Sequence, residues 1–237
     1  MKFSSKVLYI LIGILLLTGA SCVSLTGSSE NRTSGPAGIF LSTDKGESWK
    51  AVSLLPTTEG VKNLAQVSVY SLVEDPQDPK AMYWASRTNG LLYSYDNGQA
   101  WRQVAAPLNT GFIYSAAVHP KDRCTIFATN GRQVFKSDDC SRSWKEMYIE
   151  GDASRSVRSI AIRPFSPHHV YILENNGDML KSEDGGASWQ RAYSFGANIG
   201  RMIFDPNDRD LVYVSTMKNG LYRSRDSGAT WENLSDR

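Results

Sequence analysis

The eight residues Ser182-Glu183-Asp184-Gly185-Gly186-Ala187-Ser188-Trp189 are one of five copies of the pattern Ser-x-Asp-x-Gly-x-x-Trp in this 237-residue chain, and one copy has Ser141 in place of the glycine. The other copies begin at Ser42, Ser94, Ser137 and Ser224, and the five copies contain five of the six tryptophans. Successive serines are 52, 43, 45 and 42 residues apart, and a period of this size is typical of repeat architectures. The repeat therefore decides the fold class.

Each copy consists of residue types that stabilise a tight turn between two strands. Ser and Asp side chains hydrogen-bond to nearby backbone groups, Gly adopts a conformation that a Cβ would oppose, and Trp buries a large apolar surface. Each turn offers only one or two carboxylates, which favours a structural role over a calcium site. The residues given this role are Ser42, Asp44, Gly46, Trp49, Ser94, Asp96, Gly98, Trp101, Ser137, Asp139, Trp144, Ser182, Asp184, Gly186, Trp189, Ser224, Asp226, Gly228 and Trp231.

The residues between the copies predict further strands. A proline precedes each of the last four copies by 17 or 18 residues, and an apolar segment lies on either side of that proline. Asn-Gly pairs then indicate hairpin turns, because these residues tolerate a positive φ. These pairs begin at Asn89, Asn130, Asn176 and Asn219. Four antiparallel strands per repeat are the plan of a β-propeller blade, so we predict an all-β propeller over residues 38–237.

The first copy differs from the others. Only residues 38–41 and 49–53 around it are predicted as strands, so its two inner strands are missing. We expect about five blades, of which four are complete and the first is truncated to two strands. This pattern is compatible with a five-bladed ring, an open arc, or half of a larger ring completed by a second copy. An exposed sheet edge favours pairing, which makes a homodimer through the truncated blade a hypothesis.

The five copies resemble the Asp-box, also called the bacterial neuraminidase repeat. This motif occurs in sialidases, sortilin-type receptor domains, xyloglucan-degrading enzymes and photosystem II assembly factors. The fuller pattern of Asp-Pro, strand, Asn-Gly and box is most similar to the sortilin and photosystem assembly-factor groups, and it covers about residues 38–237. The resemblance implies a β-propeller and leaves the activity open, because unrelated functions share one fold.

The N-terminal residues predict export. Lys2 and Lys6 flank a basic start, and residues 7–20 carry no charge, as in a signal peptide over residues 1–21. Residues 17–22 resemble a bacterial lipobox that ends at Cys22, although Gly19 departs from the usual branched residue. We expect lipidation of Cys22, a flexible tether over residues 22–37, and anchoring on the extracytoplasmic side of a bacterial membrane. The alternatives are ordinary cleavage near Ala20 and an uncleaved anchor.

Two further cysteines remain, Cys124 and Cys140. The predicted blade topology places both at the same end of the third repeat, and exported proteins form disulfides in oxidising compartments. We predict a Cys124–Cys140 disulfide, which also accounts for Ser141 in place of the box glycine. Two free thiols are the alternative.

Charge and motifs exclude several function classes. Removal of Lys2 and Lys6 with the signal would leave 24 basic and 24 acidic residues, so the domain has no electrostatic footprint for nucleic acid. The sequence contains no nucleophile elbow, phosphate loop or paired-cysteine metal motif, and we predict neither a metal nor a cofactor. The Arg-Ile-Pro element of sialidases is also absent.

A basic and aromatic patch near the central channel is the best candidate for a ligand site. Its members are Tyr70, Tyr114, Arg132, Arg155, Arg158 and Arg201. Solvated arginines or salt bridges between blades are the structural alternative. The predicted function is a non-catalytic, membrane-tethered binding or assembly-scaffold propeller for a protein or peptide partner, acting through the face opposite the boxes. The alternative is a glycan-binding or glycosidase-like protein related to sialidases.

Overall fold

The computed structural model describes residues 38–235, which form strands, turns and loops. The predicted signal peptide, the predicted lipidation site Cys22 and the predicted tether lie outside the described residues. No helix between residues 38 and 235 combines the length and the apolar character that a membrane crossing requires.

The truncated repeat that carries the first box, which we call the first unit, contains two small hairpins. Strands β1 (Phe40–Leu41) and β2 (Lys50–Ala51) pair on either side of the first box, as predicted. Strands β3 (Leu54–Thr57) and β4 (Gly60–Asn63) form a second hairpin that the sequence did not predict. The hydroxyl of Thr57 donates a 2.8 Å hydrogen bond to the carbonyl oxygen of Gly60, which closes this turn.

Four complete blades follow, each an antiparallel sheet of four strands in sequence order, which confirms the predicted propeller. We number them 2 to 5 after their boxes. Blade 2 contains β5 (Val69–Asp75), β6 (Asp78–Ser86), β7 (Leu91–Ser94) and β8 (Arg102–Gln103). Blade 3 contains β9 (Ser115–His119), β10 (Asp122–Thr129), β11 (Gln133–Ser137) and β12 (Lys145–Ile149). Blade 4 contains β13 (Val157–Ile162), β14 (Val170–Glu174), β15 (Asp178–Ser182) and β16 (Gln190–Ser194). Blade 5 contains β17 (Ile199–Phe204), β18 (Val212–Thr216), β19 (Leu221–Ser224) and β20 (Glu232–Asn233).

The core lies between successive units rather than inside any one sheet. One apolar cluster joins the first unit to blade 2, and three more join blades 2 and 3, 3 and 4, and 4 and 5. A blade has two faces, and the alternation of side chains along each strand supplies apolar residues to both. Each blade is therefore stabilised by its neighbours, as expected of a repeat protein.

The box tryptophans contribute to these clusters. Trp101 lies against the first unit and donates a hydrogen bond from Nε1 to the Val52 carbonyl oxygen at 2.8 Å. Trp189 does the same to Met147 of blade 3 at 3.1 Å. Trp49, in the first box, is 63% exposed and donates to Gly46 of its own turn.

Within each box, serine and aspartate hold the turn. In the fourth box the Ser182 hydroxyl donates to Asp184 Oδ1 at 2.8 Å and accepts the Gly186 N–H at 2.7 Å. Asp184 also accepts the N–H and hydroxyl of Ser188, and these bonds lower the pKa of its carboxyl to about 2. The other four boxes repeat the serine–aspartate bond.

The predicted Cys124–Cys140 disulfide is confirmed. The Cys140 N–H also donates to the Cys124 carbonyl oxygen at 3.1 Å. Ser141 occupies the box position of glycine with a φ of 66°, so this turn keeps the left-handed conformation without glycine. The disulfide therefore joins the box turn to the start of β10 in the same blade.

Candidate functional site

The four innermost strands line one cavity of about 560 Å³. Each blade contributes its first strand, so β5, β9, β13 and β17 all supply lining residues. Tyr70, Tyr114, Arg158 and Arg201, four members of the predicted patch, belong to this lining. The topology brings them together because they lie at or near the start of equivalent strands.

Three aromatic rings form a compact cluster at one end of the cavity. The Phe112 ring stacks on Tyr114 with centroids 4.0 Å apart, and Tyr70 meets both rings edge-on at 4.8 and 5.8 Å. Edge-to-face and offset rings attract each other beyond the area they bury. Phe112 was not predicted from the sequence, since it lies in a loop before β9.

Two guanidinium groups cover these rings. Arg158 Cζ lies 4.5 Å from the centroid of Tyr114, and Arg87 Cζ lies 5.3 Å from Tyr70 and 5.4 Å from Phe112. These are cation–π distances, which orient each cation over a ring. We call the five residues Tyr70, Phe112, Tyr114, Arg87 and Arg158 the rim cluster.

Gly131 explains how Tyr114 reaches its position. This glycine belongs to the Asn130-Gly131 turn and has a φ of 93°, a conformation that favours glycine. A Cβ at this position would lie 2.6 Å from Cε2 of Tyr114, so the ring packs directly over the turn. The rim cluster consequently lies at the Asn-Gly end of the blades, the end opposite the boxes.

The lining of the cavity has a cationic wall. Arg158 and Arg201 face it from neighbouring blades, and Glu74 is the carboxylate within the described lining. Nε of Arg158 is buried and has no hydrogen-bond partner among residues 38–235. An arginine offers several N–H donors in a fixed fork, so this guanidinium retains capacity for an incoming acceptor.

The other two predicted patch residues lie outside the lining. Arg155 forms ion pairs with Asp152 at 3.3 Å and with Asp178 at 3.6 Å. Arg132 is exposed in the turn after Asn130, and its N–H donates to the side chain of that residue. Arg155 is therefore paired with carboxylates of the loop before β13 and of β15.

A second polar centre lies between blades 3 and 4 and was not predicted. The Tyr148 hydroxyl lies 2.8 Å from Glu150 Oε2 and 3.1 Å from Glu174 Oε1. Both glutamates are buried, and Glu174 is only 1% exposed. A hydroxyl carries one hydrogen and donates to one carboxylate at a time, so the arrangement calls for a proton on one carboxyl.

The proton belongs to Glu174. Burial, together with the neighbouring Glu150, raises the pKa of Glu174 to about 7. Burial also acts on Glu150, but hydrogen bonds from Glu174, from the Asp152 N–H and from Tyr148 outweigh it and lower the pKa of Glu150. Two adjacent carboxyls that cannot both ionise are expected to divide in this way.

Metal ligands are not grouped in the part of the chain that the structure describes. Between residues 38 and 235, no three His, Cys, Asp or Glu side chains are arranged to hold a metal ion.

A family model gives the relationship of this propeller. The Sortilin-Vps10 model, described as sortilin, neurotensin receptor 3, matches residues 37–147 and 132–237. The chain belongs to the Sortilin-Vps10 family. Because the two matches together span all the described blades, the Sortilin-Vps10 assignment covers the whole propeller.

The individual relatives differ in function. The xyloglucanase Xgh74A of Acetivibrio thermocellus is 36% identical over 158 residues, 56% of this chain and 19% of that protein. The photosystem II assembly protein Ycf48 of Thermosynechococcus vestitus is 24% identical over 190 residues, 78% of this chain and 51% of that protein. The photosystem II assembly lipoprotein Ycf48 of Trichormus variabilis is 27% identical over 180 residues, 73% of this chain and 48% of that protein.

A solved structure shows the same fold. The crystal structure of an ancestral GH74 enzyme superposes with a TM-score of 0.61 at 24% identity, covering 70% of this chain and 24% of the other. This Sortilin-Vps10 chain thus spans at most about half the length of the relatives named above.

Proposed function

We propose that this chain is a non-catalytic propeller that binds an acidic segment of a protein or peptide partner at the inner-strand cavity. The observation that carries the proposal is the rim cluster. Arg158 lines the cavity with its guanidinium over the ring of Tyr114, and the neighbouring Tyr70 is 40% exposed. Carboxylates bind guanidinium groups, and tyrosine rings supply apolar contact area at low conformational cost.

The size of the cavity suits a short segment of chain. Its volume of about 560 Å³ lies within the range of ligand pockets. Leu72 in the lining is 42% exposed, which adds apolar contact next to the arginines. Arg158 and Arg201 lie on neighbouring inner strands, so an extended acidic segment crossing the cavity meets both cations.

The distribution of carboxyls supports a binding role over hydrolysis. Most glycosidases place two carboxyls on either side of the scissile bond. The described lining of the cavity offers Glu74 alone for that purpose. Glu150 and Glu174 form a pair, but both are buried between blades and outside the lining.

The relatives also support a role in which this chain binds a protein partner. The Ycf48 relatives are named as assembly proteins, a role that requires a protein partner. They also cover more of this chain than the xyloglucanase relative does. The name of one of them, a lipoprotein, agrees with the proposed lipid on Cys22.

A glycan ligand is the second candidate. The 36% identity to a xyloglucanase favours it, and exposed aromatic rings such as Tyr70 are surfaces on which sugar rings stack. Incubation with xyloglucan and with fluorogenic sialosides separates the candidates. Release of sugar by the purified chain would establish an enzyme and contradict the proposal.

Selection from a displayed library of random peptides tests the binding role. We expect the enriched peptides to be rich in Asp and Glu. An enriched peptide is then synthesised with a fluorophore, and its affinity for the chain is measured by anisotropy at several salt concentrations. Binding that weakens with salt is expected, because charged contacts at an open cavity are screened.

Matched variants locate the binding site. We expect Arg158→Gln combined with Arg201→Gln to weaken the peptide about tenfold or more, equivalent to about 1.4 kcal/mol. Arg225→Gln is the control, since Arg225 is an exposed arginine in the fifth box at the opposite end of the blade. Equal losses in both proteins, or no acidic enrichment, would contradict the proposal.

The membrane anchor is tested separately. We propose that Cys22 carries lipid and holds the propeller on the extracytoplasmic side of a bacterial membrane. Metabolic labelling with an alkyne fatty acid should mark the wild-type chain and not Cys22→Ala. Equal labelling of the two proteins would refute this part of the proposal, as would a labelled chain that stays in the soluble fraction.

A further inference from the structure

The two ends of the described propeller carry uncovered apolar surface. Eleven large hydrophobic side chains are exposed among the described residues, and six of them lie on the first unit or on blade 5. The six are Trp49, Leu54, Val61, Ile203, Met217 and Leu221. Exposed apolar surface concentrated in two places indicates contact surfaces.

On blade 5, Leu221 and Ile203 are more exposed than the residues at the same positions of the other blades. Leu221 begins the third strand of its blade and is 39% exposed. Its equivalents by strand register are Leu91, Val134 and Met179, and all three are fully buried. Ile203 is 53% exposed, whereas its blade 4 equivalent Ala161 is buried. The face of blade 5 thus has the chemistry of an interface between blades.

On the first unit, the tryptophan that corresponds to the packed box tryptophans of later blades is exposed. Trp101 and Trp189 each pack on the preceding unit and donate Nε1 to a carbonyl oxygen there, whereas the buried Nε1 atoms of Trp144 and Trp231 have no hydrogen-bond partner among the described residues. Both acceptors, Val52 and Met147, lie three residues after the tryptophan of the preceding box. Trp49 is the one box tryptophan with no preceding unit in the described chain, and it is 63% exposed.

We propose that two copies of this chain associate head to tail, with the first unit of one copy packed on blade 5 of the next. Trp49 then lies against blade 5 of the second copy, in the way that Trp101 packs against the first unit.

The proposed partner is a second copy, because a single chain exposes both surfaces of the interface, one on the first unit and one on blade 5. Ile203 and Trp49 are both more than half exposed in the same structure. Apolar side chains cover the equivalent faces between the first unit and blade 2 and between blades 4 and 5. An interface of this type is heterologous, since different surfaces of the two copies meet.

Light scattering on the full chain carrying Cys22→Ser, which removes the proposed lipid, tests the proposal. We expect the mass of this protein to exceed that of one chain and to fall on dilution. Trp49→Lys and Ile203→Lys each disable a different half of the interface and should each give a monomer. Both positions are exposed, so the variants are expected to fold, and circular dichroism checks this.

Mixing the two variants distinguishes the proposed geometry from other dimers. Trp49→Lys keeps the blade 5 face, and Ile203→Lys keeps the first unit, so an equimolar mixture should form a dimer. Phe165→Lys, at another exposed apolar residue, is the control and should associate like the unsubstituted protein. A monomeric unsubstituted protein at all concentrations, or a mixture that stays monomeric, would overturn the proposal.

Discussion

The indole Nε1 of Trp101 donates a 2.8 Å hydrogen bond to the carbonyl oxygen of Val52, a residue 49 positions earlier in the chain. The bond joins the second box to the first unit across the interface between repeats. The same motif position in the first box, Trp49, is exposed. The same motif therefore contributes more to the stability of the fold where another repeat unit precedes it.

This difference predicts unequal effects of two equivalent substitutions. Trp101→Ala should lower the free energy of unfolding by about 3–5 kcal/mol, because it empties a fully buried site and leaves the Val52 carbonyl unpaired. Trp49→Ala should change it by about 0.5 kcal/mol or less. Urea unfolding at low protein concentration measures both. Similar losses would show that the first box is packed in solution.

The disulfide predicts a stabilising effect on the third repeat. Cys124 and Cys140 are 16 residues apart, and closure of a loop of this length constrains the unfolded chain by about 3 kcal/mol. The double variant Cys124→Ala/Cys140→Ala should lose about this amount in a denaturant titration. Addition of a reductant to the wild-type chain should reproduce the loss, and no effect of either change would contradict the bond's structural role.

The glutamate pair predicts a dependence of stability on pH. An unfolded glutamate ionises near pH 4.5, whereas Glu174 in the folded chain has a pKa of about 7. Between these values the folded chain binds a proton that the unfolded chain lacks, so the free energy of unfolding falls as pH rises. The full effect is roughly 3 kcal/mol, and it is complete above the folded pKa.

Glu174→Gln isolates this effect. The amide keeps the shape of the side chain and removes its ionisation, so the decline in stability between pH 5 and about 8 should become shallow. Thermal or denaturant unfolding across this range gives the comparison. A variant with the same pH dependence as the wild-type chain would show that Glu174 is already ionised near pH 5.

The position of Gly131 predicts an effect on binding. Gly131→Ala places a Cβ against the Tyr114 ring and should weaken the selected acidic peptide without removing any ligand contact. Gly185→Ala in the fourth box is the control, since Gly185 also has a positive φ, of 69°, but a Cβ added there would meet nothing within 4 Å. Equal affinities of the two variants for the peptide would contradict a role of Tyr114 in binding.

Much of the propeller is predictable because its signals are local and repeated. Strands β13 and β17 are two of the apolar segments that were predicted before a proline, here Pro164 and Pro206. The β3–β4 hairpin was missed because its second strand is exposed throughout and carries no apolar pattern. Its place depends on Leu55 and on Leu64, the residue that follows β4, both of which pack beside Trp101.

The candidate site was predictable only in part for a related reason. Tyr114 directly precedes β9 and Arg158 lies near the start of the equivalent strand β13, so the repeat register placed them together. Phe112 and Arg87 lie in loops, where the alignment of equivalent strands predicts no position. Their contacts depend on the three-dimensional course of the chain. The pair formed by Glu150 and Glu174 spans two blades, a separation that no local pattern reveals.

Photocrosslinking most directly tests the claim that the inner-strand cavity holds an acidic peptide. A photoreactive benzoylphenylalanine replaces Leu72 in the cavity lining or Tyr95 in the second box, which have similar exposure. After irradiation with the selected peptide, mass spectrometry should identify a crosslink from position 72 and none from position 95. Crosslinking from position 95 alone would place the peptide on the box face and contradict the account.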